Sequence, residues 1–191
     1  PKTWTNYLKQ HGIKVAHVVA NSKFALKCEE AGVDAIVAEG FEAGGHNGRE
    51  ETTTMALIPQ IKKSVNIPII AAGGISSGQS MAAAIALGAN GVQVGSRFVT
   101  THESSAHINF KNAILNSLEG DTKLSLKQLT PVRLLRNEFS LQVNELENQG
   151  ASAEELTNLL GRGRAKKGMF EGDLIEGELE IGQIAGLIHE V

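Results

Sequence analysis

Between Lys14 and Gly95 the apolar positions gather into four short, nearly continuous runs: KVAHVVA, DAIVAEG, IPIIAAGG and GVQVGSRF. Each is rich in Val, Ile and Ala and gives way to glycine, asparagine or serine. Runs of this kind suit strands covered on both faces, as in a parallel sheet; a half-solvated strand would alternate. Between them the spacing becomes helical. SKFALKCEEAG is capped by Asn21 or Ser22 and stopped at Gly32, MALIPQIKKSV is capped within residues 52–54, and GQSMAAAIALG ends at Gly88. Pro59 is expected to kink the second of these or to end its first turn. Four βα units in succession predict an α/β fold with a parallel sheet.

Beyond Thr100 only helical spacing is evident. ESSAHINFKNAILNSLEG reads as an amphipathic helix, and SAEELTNLLG opens on the Ser152–Glu155 spacing of a capping box. The acidic, glycine-punctuated EGDLIEGELEIGQIAGLIHEV closes in a short apolar helix expected to dock back on the body. Residues 1–118 are therefore expected to carry the βα units and 119–191 a small helical extension. No solenoid-type repeat and no low-complexity tract interrupts this plan.

Composition narrows the possibilities. With 41% hydrophobic residues in 191, the chain can fill a core. A net charge of -3 and a pI near 6.1 give no basic face for nucleic acid or an anionic membrane. The single cysteine, Cys28, cannot form an internal disulfide, which fits a cytoplasmic setting. No apolar run approaches the ~18 residues of a membrane span, and PKTWTNYLKQ lacks the apolar centre of a signal peptide. The chain opens on proline, and a fragment or processed product is the expectation.

Two glycine-bearing corners follow the last two strands, AAGGISSGQS (residues 71–80) and VGSRF (residues 94–98). Both place backbone N–H groups at the carboxyl end of a strand, and the first leads into a helix N-terminus whose partial positive charge favours an anion. Gly73, Gly74 and Gly95 could each serve simply as tight turns. Two such corners in succession match the phosphate site after strands seven and eight of a (β/α)8 barrel, which makes these units the second half of one. Neither G-x-x-x-x-G-K-[ST] nor G-x-G-x-x-G is present; GRGRAKKG fails the spacing.

AEGFEAGGHNG (residues 38–48), followed by IPIIAAGGISSG and GANGVQVGSRFV, resembles the nitronate monooxygenase and enoyl-acyl carrier protein reductase II family of flavoproteins, as does the tail EGDLIEGELEIGQIAGLI. The resemblance implies the carboxyl-terminal half of an FMN-binding (β/α)8 TIM barrel, with the amino-terminal half outside this chain. It implies that Gly73 and Gly74 hold one side of the flavin phosphate and Gly95 and Ser96 the other, with Ser96 where similar proteins often have Thr. Glu39 and Gly45 would lie on the segment passing the flavin ring, and His46 would be the active-site histidine. The implied activity is enoyl-acyl carrier protein reduction, with hydride from NAD(P)H through FMN to a 2-enoyl thioester. The alternative is nitronate oxidation with FMN and oxygen. A flavin-free barrel lyase or isomerase using the same corners, or an inactive binding module, is the further alternative. Acyl carrier protein or a small nitronate, a homodimer partner and a monovalent cation belong to the same expectation.

Four βα units cannot close an eight-stranded barrel, so exposed edges or the missing half are expected. The glycines around His46 suggest a loop shaped by its cofactor and not by the chain. His17 could face the barrel interior or be a hydrogen-bonded strand histidine, and Gln93 could point toward the flavin. His102 and His107 lack a third ligand and make a poor metal pair. Arg49, Glu50 and Glu51 read as a solvated loop face or as contacts to the carrier. Arg162, Arg164, Lys166 and Lys167 read as exposed charge or as a grip on phosphate or acidic carrier. Cys28 reads as structural.

Overall fold

The computed structural model describes residues 1–190. Along the chain run α1 (Thr5–Gln10), β1 (Ala16–Val19), α2 (Ser22–Glu30), β2 (Ala35–Glu39), β3 (Gly45–His46), α3 (Thr54–Lys62), β4 (Ile69–Ala72), α4 (Gly78–Ala86) and β5 (Gly91–Gln93). There follow α5 (Ser96–Val99), α6 (Ile108–Leu115), β6 (Thr122–Ser125), β7 (Val132–Leu135), α7 (Glu138–Asn148), α8 (Ala153–Leu160), α9 (Arg164–Met169) and a 3-10 helix, Gln183–Leu187. These elements form two compact units. The first comprises residues 1–42 and 50–94; the second comprises residues 43–49 and the chain from Gly95 onward.

In the first unit the four apolar runs form one parallel sheet in the order β1-β2-β4-β5. The register aligns Ile36 with Ile69 and Ala38 with Ala71, and these residues pack under the helices with Val19, Leu57, Ile58, Ile61 and Ala84. Cys28 is buried in that layer, and desolvation raises its thiol pKa, as fits a packing residue. The outer edges of β1 and β5 are unpaired among the described residues, so the sheet stays open as expected. Asn21 caps α2 by accepting the Phe24 N–H, and Ser77 and Ser80 form a capping box on α4. Gly32 and Gly88 end their helices at φ +81° and +109°, a conformation costly for other residues. Helix α3 continues through Pro59, which therefore does not end its first turn.

The second unit departs from the helical reading of residues 119–191. It is built on a three-stranded antiparallel sheet, β3-β7-β6. The four residues of β7 are all buried, with Leu135 in one apolar cluster and Val132 and Leu134 in another. A strand this short, covered on both faces, carries no periodicity to read. The terminal 3-10 helix docks as expected, placing Ile184, Ala185 and Ile188 against Phe110 and Ile114. The Ser152–Glu155 capping box forms. Among the described residues no helix is long and apolar enough to cross a membrane.

Candidate functional site

In the first unit, β4 runs out into Gly73 and Gly74, whose φ values of +87° and +76° turn the chain before α4. The Ser80 hydroxyl accepts the N–H groups of Ser76 and Ser77, each at 2.9 Å. The amides of Gly74 and Ile75 are left without an acceptor among the described residues. Glu39 pairs in register with Ala72, and the Gly40 N–H donates to the Ala72 carbonyl at 2.9 Å, so Glu39 lies beside this corner. Burial without a counter-charge pushes the Glu39 carboxyl pKa up.

A residue that sequence reasoning missed braces the same corner. Thr53 precedes α3 but makes no side-chain cap. The Glu42 carboxylate instead accepts the Thr54 N–H at 2.9 Å and the Thr54 hydroxyl lies 3.1 Å away. That hydroxyl also stands 2.8 Å from the Gly73 carbonyl and 3.2 Å from the Ala72 carbonyl. Glu42 carbons lie 3.6 Å from where a Gly74 side chain would start. A carboxylate thus occupies the positive end of α3 and leaves α4 as the end next to the free amides. The only signal in the sequence was an acidic residue twelve positions ahead of the helix, too far for a local capping rule.

Register settles two strand residues. His17 aligns with Ile36, on the helix-covered face, and its Nδ1 lies 2.9 Å from the Val18 carbonyl. Gln93 aligns with Ala72 and hence shares the other face with Glu39.

In the second unit, residues 43–49 are held by the chain itself. Gly45 pairs with Arg133 and His46 with Val132, while the Asn47 N–H donates to the Pro131 carbonyl at 2.8 Å. The Asn47 side-chain amide donates to the carbonyls of Ala43 and Gly45, and Arg49 donates to those of Lys127 and Leu129. The loop expected to depend on a cofactor for its shape is therefore a strand with protein partners, and its imidazole is exposed. The glycines serve close approach: a methyl at Gly44 would lie 2.5 Å from the Gly182 nitrogen. Arg49 is consequently a structural anchor, while Glu50, in the first unit, accepts from Asn21.

The second corner opens at Gly95, which precedes the four-residue α5 and has open space where a side chain would begin. The Ser96 hydroxyl accepts the Gly182 N–H at 2.9 Å, which leaves its own proton free to donate. Gly182 also abuts Gly44, so within this unit the second corner and the His46 segment share a neighbour.

The remaining basic cluster divides. The Arg164 guanidinium donates to the carbonyls of Leu159, Leu160 and Glu176, pairs with the Glu176 carboxylate at 3.0 Å and lies 4.4 Å from the Phe139 ring centroid. It is an internal tie, neither solvated charge nor phosphate grip. Lys166 and Lys167 pair with Glu171 and Asp173, and Arg162 is exposed. His107 caps α6 by accepting the Asn109 N–H, and no group of three His, Cys, Asp or Glu able to hold a metal stands among the described residues.

Comparison with known proteins gives a consistent result. The nitronate monooxygenase family profile matches residues 1–191. A probable nitronate monooxygenase of Staphylococcus saprophyticus is 38% identical over 84% of this chain and 49% of its own length. Among solved structures, FabK from Thermotoga maritima superposes with a TM-score of 0.93 at 43% identity, over all of this chain and 60% of that one. The nitroalkane oxidase of Streptomyces ansochromogenes gives 0.78 at 31%, over 96% and 55%. The chain thus spans about half to three fifths of these three proteins. With the family profile matched along the whole sequence, this chain belongs to the nitronate monooxygenase family.

Proposed function

We propose that this chain forms the carboxyl-terminal part of an FMN-dependent enoyl-acyl carrier protein reductase. The observation that carries the reading is the likeness to FabK, an enoyl-acyl carrier protein reductase II, along the entire chain and at higher identity than to the nitroalkane oxidase. Each corner by itself suits a phosphate: the turn at Gly73 and Gly74 presents the free amides of Gly74 and Ile75, and the turn at Gly95 presents the Ser96 hydroxyl with its proton free to donate. Bound FMN would supply the hydride relay between NAD(P)H and the 2-enoyl thioester.

This chain's own residues would do the rest. His46, exposed on a strand with a fixed backbone, can hydrogen-bond the thioester oxygen or deliver the proton that the α-carbon needs; imidazole is suited to both near neutrality. Glu39, whose carboxyl pKa is raised by burial, lies on the sheet face it shares with Gln93. The second reading, nitronate oxidation, is favoured by the names of the curated relatives, and there His46 would act as base or as donor to the nitro group.

An anaerobic assay on the complete protein separates the two. NADH or NADPH is expected to bleach the flavin, and a crotonyl thioester to restore its colour. Failure of both steps together with rapid oxygen use on a nitronate would establish the second reading. A colourless protein that takes up no FMN would end both.

A further inference from the structure

Two segments far apart in sequence share one edge of β7. β3 pairs with its first half, Gly45 opposite Arg133 and His46 opposite Val132. Leu179 and Glu180 pair with its second half, through the Leu135 N–H to the Leu179 carbonyl at 2.8 Å and the Leu134–Glu180 bridge. The opposite edge belongs to β6. The two short segments therefore stand end to end, and their junction is tight. A side chain at Gly45 would begin 2.5 Å from a Glu180 carboxylate oxygen, and one at Gly44 would begin 2.5 Å from the Gly182 nitrogen and the Ile181 carbonyl carbon. Past the junction, the Gly182 N–H reaches Ser96.

Residues 180–182 thus touch the His46 segment at two consecutive residues and the second corner at one. Gly45 stands at φ +71°, in the left-handed region, and the Glu180 carboxylate lies where a side chain at Gly45 would begin, so Glu180 meets the His46 segment at the Gly45 backbone. Its carboxylate makes no hydrogen bond or ion pair among the described residues. What it contributes is bulk, at the place where a glycine leaves a gap.

We propose that Glu180 is the positioning residue for His46: its side chain abuts Gly45 and fixes where β3 sits along β7, while Gly182 ties the same segment to Ser96. This rests on the reading of His46 as the active-site residue.

The test uses the complete protein as wild type, Glu180→Ala and Glu180→Gln, with amide hydrogen exchange over residues 43–49, kcat and KM for a crotonyl thioester, and the Kd for FMN. In E180A, exchange over 43–49 is expected to rise about tenfold or more while peptides of the first unit are unchanged. Its kcat is expected to fall by on the order of 10- to 100-fold, since a shift of about 1 Å in a catalytic group has effects of that size, with KM and FMN affinity within about twofold. E180Q, which keeps the bulk without the charge, is expected to restore both readouts. Should E180A fail to fold, Glu180→Asp, shorter by one methylene, is expected to show a smaller change of the same kind. Unchanged exchange in E180A, or equal damage in E180A and E180Q, overturns the proposal. A wild type inactive on both thioester and nitronate would refute the functional reading, while exchange alone would still decide the positioning.

Discussion

Glu42→Ala probes the brace that the sequence did not reveal. The substitution removes the acceptor of the Thr54 N–H at 2.9 Å and a neighbour of the Thr54 hydroxyl at 3.1 Å. Thr53 supplies no side-chain cap of its own, so α3 loses its N-terminal partner outright. Loss of a cap costs about 1 kcal/mol. Removing a negative charge from the positive end of a helix adds about 0.5 kcal/mol. The sum, about 1.5 kcal/mol, corresponds to a fall in Tm of roughly 3–6 °C for a protein of this size. Glu42→Gln keeps an acceptor oxygen and loses the charge, so its fall should be about a third as large. Differential scanning calorimetry of the complete protein measures both. Because the Thr54 hydroxyl also touches the Ala72 and Gly73 carbonyls, Glu42→Ala should weaken FMN binding as well, read by flavin fluorescence. A Tm equal to wild type would refute the reasoning, by showing that water caps α3 as well as Glu42 does.

Arg164→Ala is expected to destabilise by about 3 kcal/mol, from carbonyls left without their charged donor and a lost cation–π contact, whereas Arg162→Ala should stay within ~0.5 kcal/mol; equal thermal melts for the two variants would sink the distinction. Glu178 is 7% exposed, and burial together with the Glu180 charge raises its pKa to about 7, against the opposing Arg164 charge. The folded state therefore holds a proton that the unfolded chain releases, and this residue's contribution, fully present below the ordinary carboxylate range, is lost as pH rises toward about 7. Glu178→Gln should gain on the wild type by on the order of 2–3 kcal/mol between pH 4 and pH 8; parallel stability–pH curves would refute this.

The parallel strands of the first unit were legible because sheets covered on both faces leave continuous apolar runs, and β2 and β4 are of that kind. The antiparallel sheet was not. β3 is a Gly-His pair that has no strand character until β7 is beside it, and β7 carries Arg133 among apolar residues. Leu126, buried at φ +59°, bends the chain just after β6 at a residue type that does not announce a turn. At the proposed site, Gly73, Gly74, Gly95 and Ser96 could be picked out as candidates because glycine and hydroxyl residues mark close approach locally. Glu42, Glu180 and Gly182 could not, because their partners are distant in the chain. Arg164 read as surface charge since the carbonyls that engage it belong to helix ends and to a later loop.

The shared edge of β7 also bears on how the molecule is made. Residues 43–49 are synthesised well before their neighbours Pro131–Arg133 and Glu180–Gly182. The first unit can begin to assemble from local βα contacts, while the histidine strand must wait for residues more than a hundred positions later in the chain. Placement of the His46 strand is thus a later event than assembly of the parallel sheet, and deletion of residues 180–182 would leave that strand without the neighbours that confine it.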